Sequence, residues 1–384
     1  MRKKDLKKGI GSALAVLICL LLLFTTTAFA ATTKTPSTAK AYILMEATTG
    51  QIIEESNSDA PLPCAGMIRL MSLLLISEAV SQKEISSSDQ VAVSTAAAKQ
   101  GGTSVFLDSG SPYPLEDLFK AAVICSANDA IYAMAEHLAG SEEGFVSRMN
   151  SRAKELGITS TFSDCTGNSD QSLSAKELGI ISSALVKQPM FLKYSSTWLD
   201  TFSHSSGRET QMSSSNILIK EDFDGMATAS STSAGYCLAA SKKSGTAHFI
   251  CVVLGDTKDG RFNIARSKVG TAAGEYTAIQ IAKAGSKVTE AEIDGVRDPV
   301  PLCAKEDLSL LLSKSDAKAL KKSLELSELA APLSAGDDAG KLIIELPNGE
   351  KQELSLVVGI DVGQNSFAAS LARILRCWLF KKNA

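Results

Sequence analysis

Several compositional extremes are missing from this 384-residue chain, and each absence closes off a class. Histidine is scarce, with only His137, His204 and His248, and no Cys-x-x-Cys pair or Cys/His ligand pattern occurs, so no metal site and no cofactor are expected. Glycine (27) is too rare for a collagen-like chain, and eight cysteines are too few for a disulfide scaffold. Neither charge sign dominates: Lys and Arg number 39 against 42 Asp and Glu, a net charge of −3, which gives no electrostatic case for nucleic acid. Disorder is excluded because 45% of residues are hydrophobic and only 21% charged, enough apolar surface to bury a core. The length is a prior for two domains.

What is present begins at the ends. Arg2, Lys3, Lys4, Lys7 and Lys8 precede an apolar run, Ala13 to Phe24, and then Ala28-Phe29-Ala30. A basic head, a short apolar stretch and a small-x-small exit form a secretory signal over residues 1–30. The run is shorter than the roughly 20 residues of a membrane span, although an uncleaved anchor is the other reading. Cleavage removes five positive charges and one negative, and takes the net charge from −3 to −7. At the other end Phe367, Leu371, Ile374, Leu375 and Trp378 share a helical face bordered by Arg373, Arg376, Lys381 and Lys382. An amphipathic basic helix over 365–382 suits an anionic membrane surface through residues 367–382; a helix docked on its own domain is the alternative. Seven cysteines remain after cleavage, an odd number, and most sit in apolar runs where cysteine acts as a small hydrophobe.

Between the ends, Ala41–Met45 and Ile52-Ile53 read as strands around a Gly50 turn. Met67–Val80 is helical, with Leu70, Met71, Leu74 and Leu75 on one stripe; Leu115–Ala139 is helical with a break at 125–128, and Phe145–Leu156 is helical up to Gly157. From Gly225 onward strands dominate, and Gly235–Ala240 and His248–Leu254 form a hairpin joined by Ser241–Gly245. This pattern predicts one large mixed α/β domain over 36–285. Short strands around 300–302, 308–312, 342–346 and 354–358, with Asn348-Gly349 as a hairpin turn, predict a small all-β domain over 292–362.

Three segments carry a family resemblance. Ala65-Gly66-Met67-Ile68-Arg69 opens a helix after the first hairpin, Ser126-Ala127-Asn128 follows one helix later, and Met226-Ala227-Thr228-Ala229 precedes Gly235-Tyr236 and the apolar strands. In order and context these resemble the S-x-x-K, S-x-N and K-T-G motifs of the serine-type D-alanyl-D-alanine carboxypeptidases, the low-molecular-mass penicillin-binding proteins. Thr49-Gly50-Gln51, Gly102, Ser104, Met149-Asn150 and Ala331-Pro332-Leu333 match as well, and the resemblance covers nearly the whole chain after the signal. It implies a serine β-lactamase/DD-peptidase-like core of mixed α+β type, a C-terminal β-domain, an amphipathic anchor, and a place at the extracytoplasmic face of a bacterial membrane.

The departures fall on the chemistry. The family's motif supplies a serine nucleophile and, one turn later, a lysine that takes its proton. Here the two positions are Gly66 and Arg69. Glycine has no nucleophile, and arginine stays protonated at any workable pH. The third motif keeps Thr228, but Ala227 replaces the lysine and Ala229 the glycine. Ser126 and Asn128 are retained, either as substrate-facing groups or as a pair that caps a helix break.

A pseudoenzyme follows, one that binds peptidoglycan stem peptides or a cell-wall enzyme through a degenerate cleft. The alternative is an active carboxypeptidase or endopeptidase with an unconventional nucleophile. Cys64 and Cys125 flank motif positions and are the candidates, if Arg69 lowers a thiol pKa; the other reading is that both are small buried core residues, as free cysteines usually are. Other Ser-x-x-Lys occurrences, at Ser37, Ser151 and Ser315, lack the hairpin-then-helix context. Arg69 itself either faces the cleft to meet a peptide carboxylate or pairs internally with an acid and fills the space left by the lost serine and lysine.

Overall fold

A computed structural model describes residues 38–363 apart from Asp170, Asp294, Gly295 and Arg297. The expected export signal and the terminal amphipathic helix lie outside the described residues.

The central element is a five-stranded antiparallel sheet. Strands β1 (Ala41–Glu46) and β2 (Ile52–Ser56) come from the start of the chain, and β3 (Gly225–Ser231), β4 (Gly235–Ser244) and β5 (Ala247–Asp256) from nearly two hundred residues later. Their order is β2-β1-β5-β4-β3, with β1 buried along its whole length. Alternation along the strands sends side chains to opposite faces. Ile43, Met45, Ala239, Ile250 and Val252 enter a large core on one face; Tyr42, Leu44, Leu238, Phe249 and Val253 enter a second core on the other. This is the mixed α/β architecture expected.

The larger core is built by helices α1 (Arg69–Ser81), α2 (Leu115–Cys125), α3 (Asn128–Ala139), α4 (Glu142–Glu155), α5 (Ala175–Leu185) and α6 (Pro189–Ser195). The expected stripe on α1 understates its burial. Leu70 to Ser77 are all buried, because a helix apolar all round belongs inside a layer rather than on its surface. The second core is closed by α7 (Gly260–Glu275), which packs Phe262, Ala265, Val269 and Ala272 on the sheet. The pattern of strands from Gly225 onward does not mark this helix. The buried stripe on α7 is short and broken by small and polar residues (Phe262, Ala265, Val269 and Ala272, with Arg261), too weak an apolar signal to mark a helix. The β4–β5 hairpin also differs from expectation: β4 runs on through Lys242, Lys243 and Ser244, paired with Phe249, His248 and Ala247, so the turn shrinks to Gly245-Thr246.

Strand β6 (Tyr276–Ala282) leads into the β-rich module of β7 (Lys287–Ala291), β8 (Val300–Ala304), β9 (Leu308–Ser313), β10 (Lys321–Leu326), β11 (Asp338–Glu345) and β12 (Lys351–Val358). Its five-stranded sheet has the order β7-β8-β12-β11-β10, and β6 pairs with β9 in a separate ribbon. Asn348 and Gly349 lie in the β11–β12 connection, as the turn chemistry required. β6 falls within the stretch expected to belong to the large domain. It puts Ala278 into the core beneath α7 and Ala282 into the core of the small sheet, so it serves both.

Candidate active site

β3 is an edge strand, and its outer side faces the helical layer across a cleft of about 370 Å³. The start of α1 contributes Gly66 and Arg69, the α2–α3 break contributes Ser126 and Asn128, and β3 contributes Thr228 and Ala229. Three segments spread over 160 residues of sequence therefore meet in one place. No carboxylate lines the cleft among the described residues, whereas two guanidinium groups do, Arg69 and Arg261.

Ala65–Ile68 forms a single 3₁₀ turn before α1. In such a turn residues i and i+3 eclipse, which brings Arg69 over Gly66. A Cβ built on Gly66 would lie 2.3 Å from Arg69 Nη1, 2.5 Å from Cζ and 2.6 Å from Nη2. The guanidinium thus occupies the space into which any side chain at 66 would project. From the other side Gly167, at φ +84°, closes on the same residue; a Cβ there would lie 2.5 Å from Gly66 Cα.

Arg69 is weakly held. Nη1 donates to Asn128 Oδ1 at 3.3 Å and Nη2 to the Thr228 carbonyl at 3.4 Å. Burial lowers its pKa to about 10, opposed by Cys125 and Asp164, and leaves it protonated at neutral pH. Asp164 acts at a distance, since its carboxylate accepts from the amides of Thr166, Gly167 and Ser169 and from Gln171. Among the described residues Arg69 has no ion-pair partner: it fills the space beside Gly66, as one of its two readings had it, but without the internal acid.

Ser126 has φ +61° and ends α2 in the left-handed conformation. Asn128 reaches across the cleft: Nδ2 donates to the Gly101 carbonyl at 2.8 Å and to Asn168 Oδ1 at 3.1 Å. Gly102 permits this approach, because a Cβ there would lie 2.7 Å from Asn128 Nδ2. Neither side chain caps the break, since Ala127 stands at the N-cap of α3 with no side-chain bond. Behind them the buried Asp129 carboxylate accepts from the Ser104 hydroxyl and from the amides of Val105 and Leu107, which fixes the 104–107 loop.

On β3 the three motif positions part company. Ala227 is 8% exposed and belongs to the larger core, Thr228 shares a hydrogen bond with the Ser215 hydroxyl, and Ala229 lines the cleft. Arg261, on the first turn of α7, was not singled out from sequence, where nothing distinguishes it from any surface arginine after a turn. It is 6% exposed and well satisfied: Nη1 donates to the carbonyls of Cys237 (2.8 Å) and Ala229 (3.2 Å), Nε donates to that of Lys258 (3.3 Å), and the rings of Tyr236 and Phe262 flank it.

The candidate thiols are placed unequally. Cys125 lines the cleft, but Cys64 is fully buried beside it with Sγ on the Gln171 carbonyl. Burial pushes Cys64 up to about 12 and Cys125 up to about 11; the nearby Arg69 lowers Cys125 by less than burial raises it. Both are therefore thiols rather than thiolates at neutral pH.

Comparison with known proteins agrees with this architecture. The D-alanyl-D-alanine carboxypeptidase family model matches residues 27–258, and the model of the penicillin-binding protein 5 C-terminal domain matches residues 276–364. The chain is 31% identical to the D-alanyl-D-alanine carboxypeptidase DacF of Bacillus subtilis, across 94% of this chain and 96% of that one. It is 32% identical to DacC of Escherichia coli, across 90% of each. Among solved structures, penicillin-binding protein 5 of Haemophilus influenzae superposes with a TM-score of 0.74 at 26% identity, covering 85% of this chain and 98% of that one.

Proposed function

The chain belongs to the D-alanyl-D-alanine carboxypeptidase family, and from that premise we propose that it is a non-catalytic member of peptidoglycan metabolism that holds wall peptide ends in its cleft. One observation carries the reading: Gly66 stands where the family's nucleophile would be, and the Arg69 guanidinium fills the place its side chain would take. Acyl transfer needs a nucleophile and a base within hydrogen-bond reach. Here the first is absent, the second is a permanent cation, and Ala227 carries no charge to orient a substrate carboxylate. Burial keeps Cys125 protonated, so it offers no replacement. The remaining cleft, with its hydroxyl, amide and guanidinium lining, retains the means to bind a polar peptide.

Ser126, Asn128 and Thr228 are the groups we assign to peptide contact, and residues 367–382 to an anionic membrane surface outside the cytoplasm after loss of residues 1–30. The test is intact-mass spectrometry of the mature chain after exposure to benzylpenicillin, together with D-alanine release from a stem pentapeptide. The expected result is no penicilloyl adduct and no release; either product refutes the proposal.

A further inference from the structure

The two cations of the cleft are not equivalent. Arg261 donates to three backbone carbonyls and lies against two rings, so its charge is compensated within the fold. Arg69 makes only two long bonds to neutral acceptors, at 3.3 and 3.4 Å, and is in contact with no anion among the described residues. A largely buried guanidinium left in this state gains most from a carboxylate, which accepts two parallel N–H bonds.

Its position says which carboxylate. The side chain at 66 is the one that, in the family's serine motif, attacks the carbonyl of the terminal amide bond. That carbonyl must therefore lie just beyond the side-chain position of residue 66, against the Arg69 head that now fills it. An intact pentapeptide would present a neutral amide carbonyl to the guanidinium. A peptide already cut at that bond presents a carboxylate at the same point. We propose that the cleft selects a stem peptide that has lost its terminal D-alanine, and takes the newly exposed carboxylate on the Arg69 guanidinium above Gly66. This rests on the reading of the cleft as a peptide site. It places the chain after a carboxypeptidase step, as a receptor for the product of that reaction.

Calorimetric titration of the full mature chain with three synthetic ligands tests it: a stem tetrapeptide with a free terminal carboxylate, the same tetrapeptide as its terminal amide, and the pentapeptide. A charge-assisted pair in place of a neutral bond is expected to make the acid bind about tenfold or more tighter than the amide. The pentapeptide should fall with the amide. The comparison needs no variant, so misfolding does not obscure it. In Arg69→Gln the acid and amide should converge. Equal binding of acid and amide by the unaltered chain, tighter binding of the pentapeptide, or no binding of any of the three overturns the proposal. The first two results leave the chain a non-catalytic peptide binder, whereas a penicilloyl adduct removes that premise itself. Acetate should bind far more weakly than the tetrapeptide acid; equal affinity would reduce the site to a general anion hole and also overturn the assignment.

Discussion

Gly66 and Arg69 exclude any side chain between them, so restoring one residue of the motif should not restore its chemistry. A Cβ at 66 would lie 2.3 Å from Arg69 Nη1, so a serine there must displace the guanidinium, the far end of a flexible side chain held by two long bonds. For Gly66→Ser we expect no penicilloyl adduct by mass spectrometry and a loss of no more than about 1 kcal/mol in urea unfolding, because only the far end of the Arg69 side chain and its two long bonds have to give way. Adding Arg69→Lys removes the clash and returns an amine that can lose its proton. The thiols make a second prediction. Burial raises Cys125 to about 11, and Cys64 and Cys251 to about 12, from the ordinary value of 9.0. A folded-state pKa above the unfolded value contributes stability that is complete below the unfolded pKa and disappears as pH rises through the folded one. The melting temperature should therefore hold near neutrality and fall between about pH 9 and 12, and Cys125→Ala should soften that fall. At pH 7.5 iodoacetamide should leave Cys125 unmodified in the folded chain and label it in urea.

The cleft depends on how α7 meets the sheet. Arg261 fastens the first turn of that helix to β3 and β4 through the carbonyls of Ala229 and Cys237. Replacing it with methionine keeps much of the packing but leaves buried carbonyls without donors, so Arg261→Met should cost about 2–4 kcal/mol in urea unfolding. The start of α5 is held by a capping box between Ser174 and Glu177, whose carboxylate also accepts from Thr159 and Ser160. These elements show where sequence reading reaches and where it stops. The motif segments were legible because each pairs a distinctive residue pattern with a helix start or a strand, and the structure brings all three to one cleft. α7 was not, because its buried stripe holds only two large apolar residues, Phe262 and Val269, and tertiary contact, not periodicity, defines it. The start of α5 was legible too, in the Ser-x-x-Glu signature at 174–177. The near-contact of Arg69 with residue 66 was beyond reach, since i,i+3 spacing alone does not say which way a long side chain turns.

At the scale of the molecule, charge is segregated along the chain rather than balanced. The basic residues 1–8 and the basic segment after Asp361 flank an acidic body. If the terminal segment binds an anionic surface, attraction between exposed charges should weaken as salt rises, because screening shortens from about 10 Å at 0.1 M to about 3 Å at 1 M. Flotation with anionic vesicles should retain the mature chain at low salt and lose much of it near 1 M, while a chain ending at residue 364 should not float at either. The β6–β9 ribbon ties the two modules through Ala278, which packs with α7, and Ala282, which packs with the small sheet.

The contact between Gly66 and the Arg69 head also orders history. A lineage that still carried a serine at 66 had no room for arginine in this pose, so the nucleophile had to go before the guanidinium settled, or the arginine had to begin in another rotamer. With both changes in place, neither single step back rebuilds the motif: a serine at 66 still lacks its base, and a lysine at 69 still lacks its nucleophile. The pair works as a ratchet: descendants that vary one residue at a time recover none of the ancestral chemistry from either change alone.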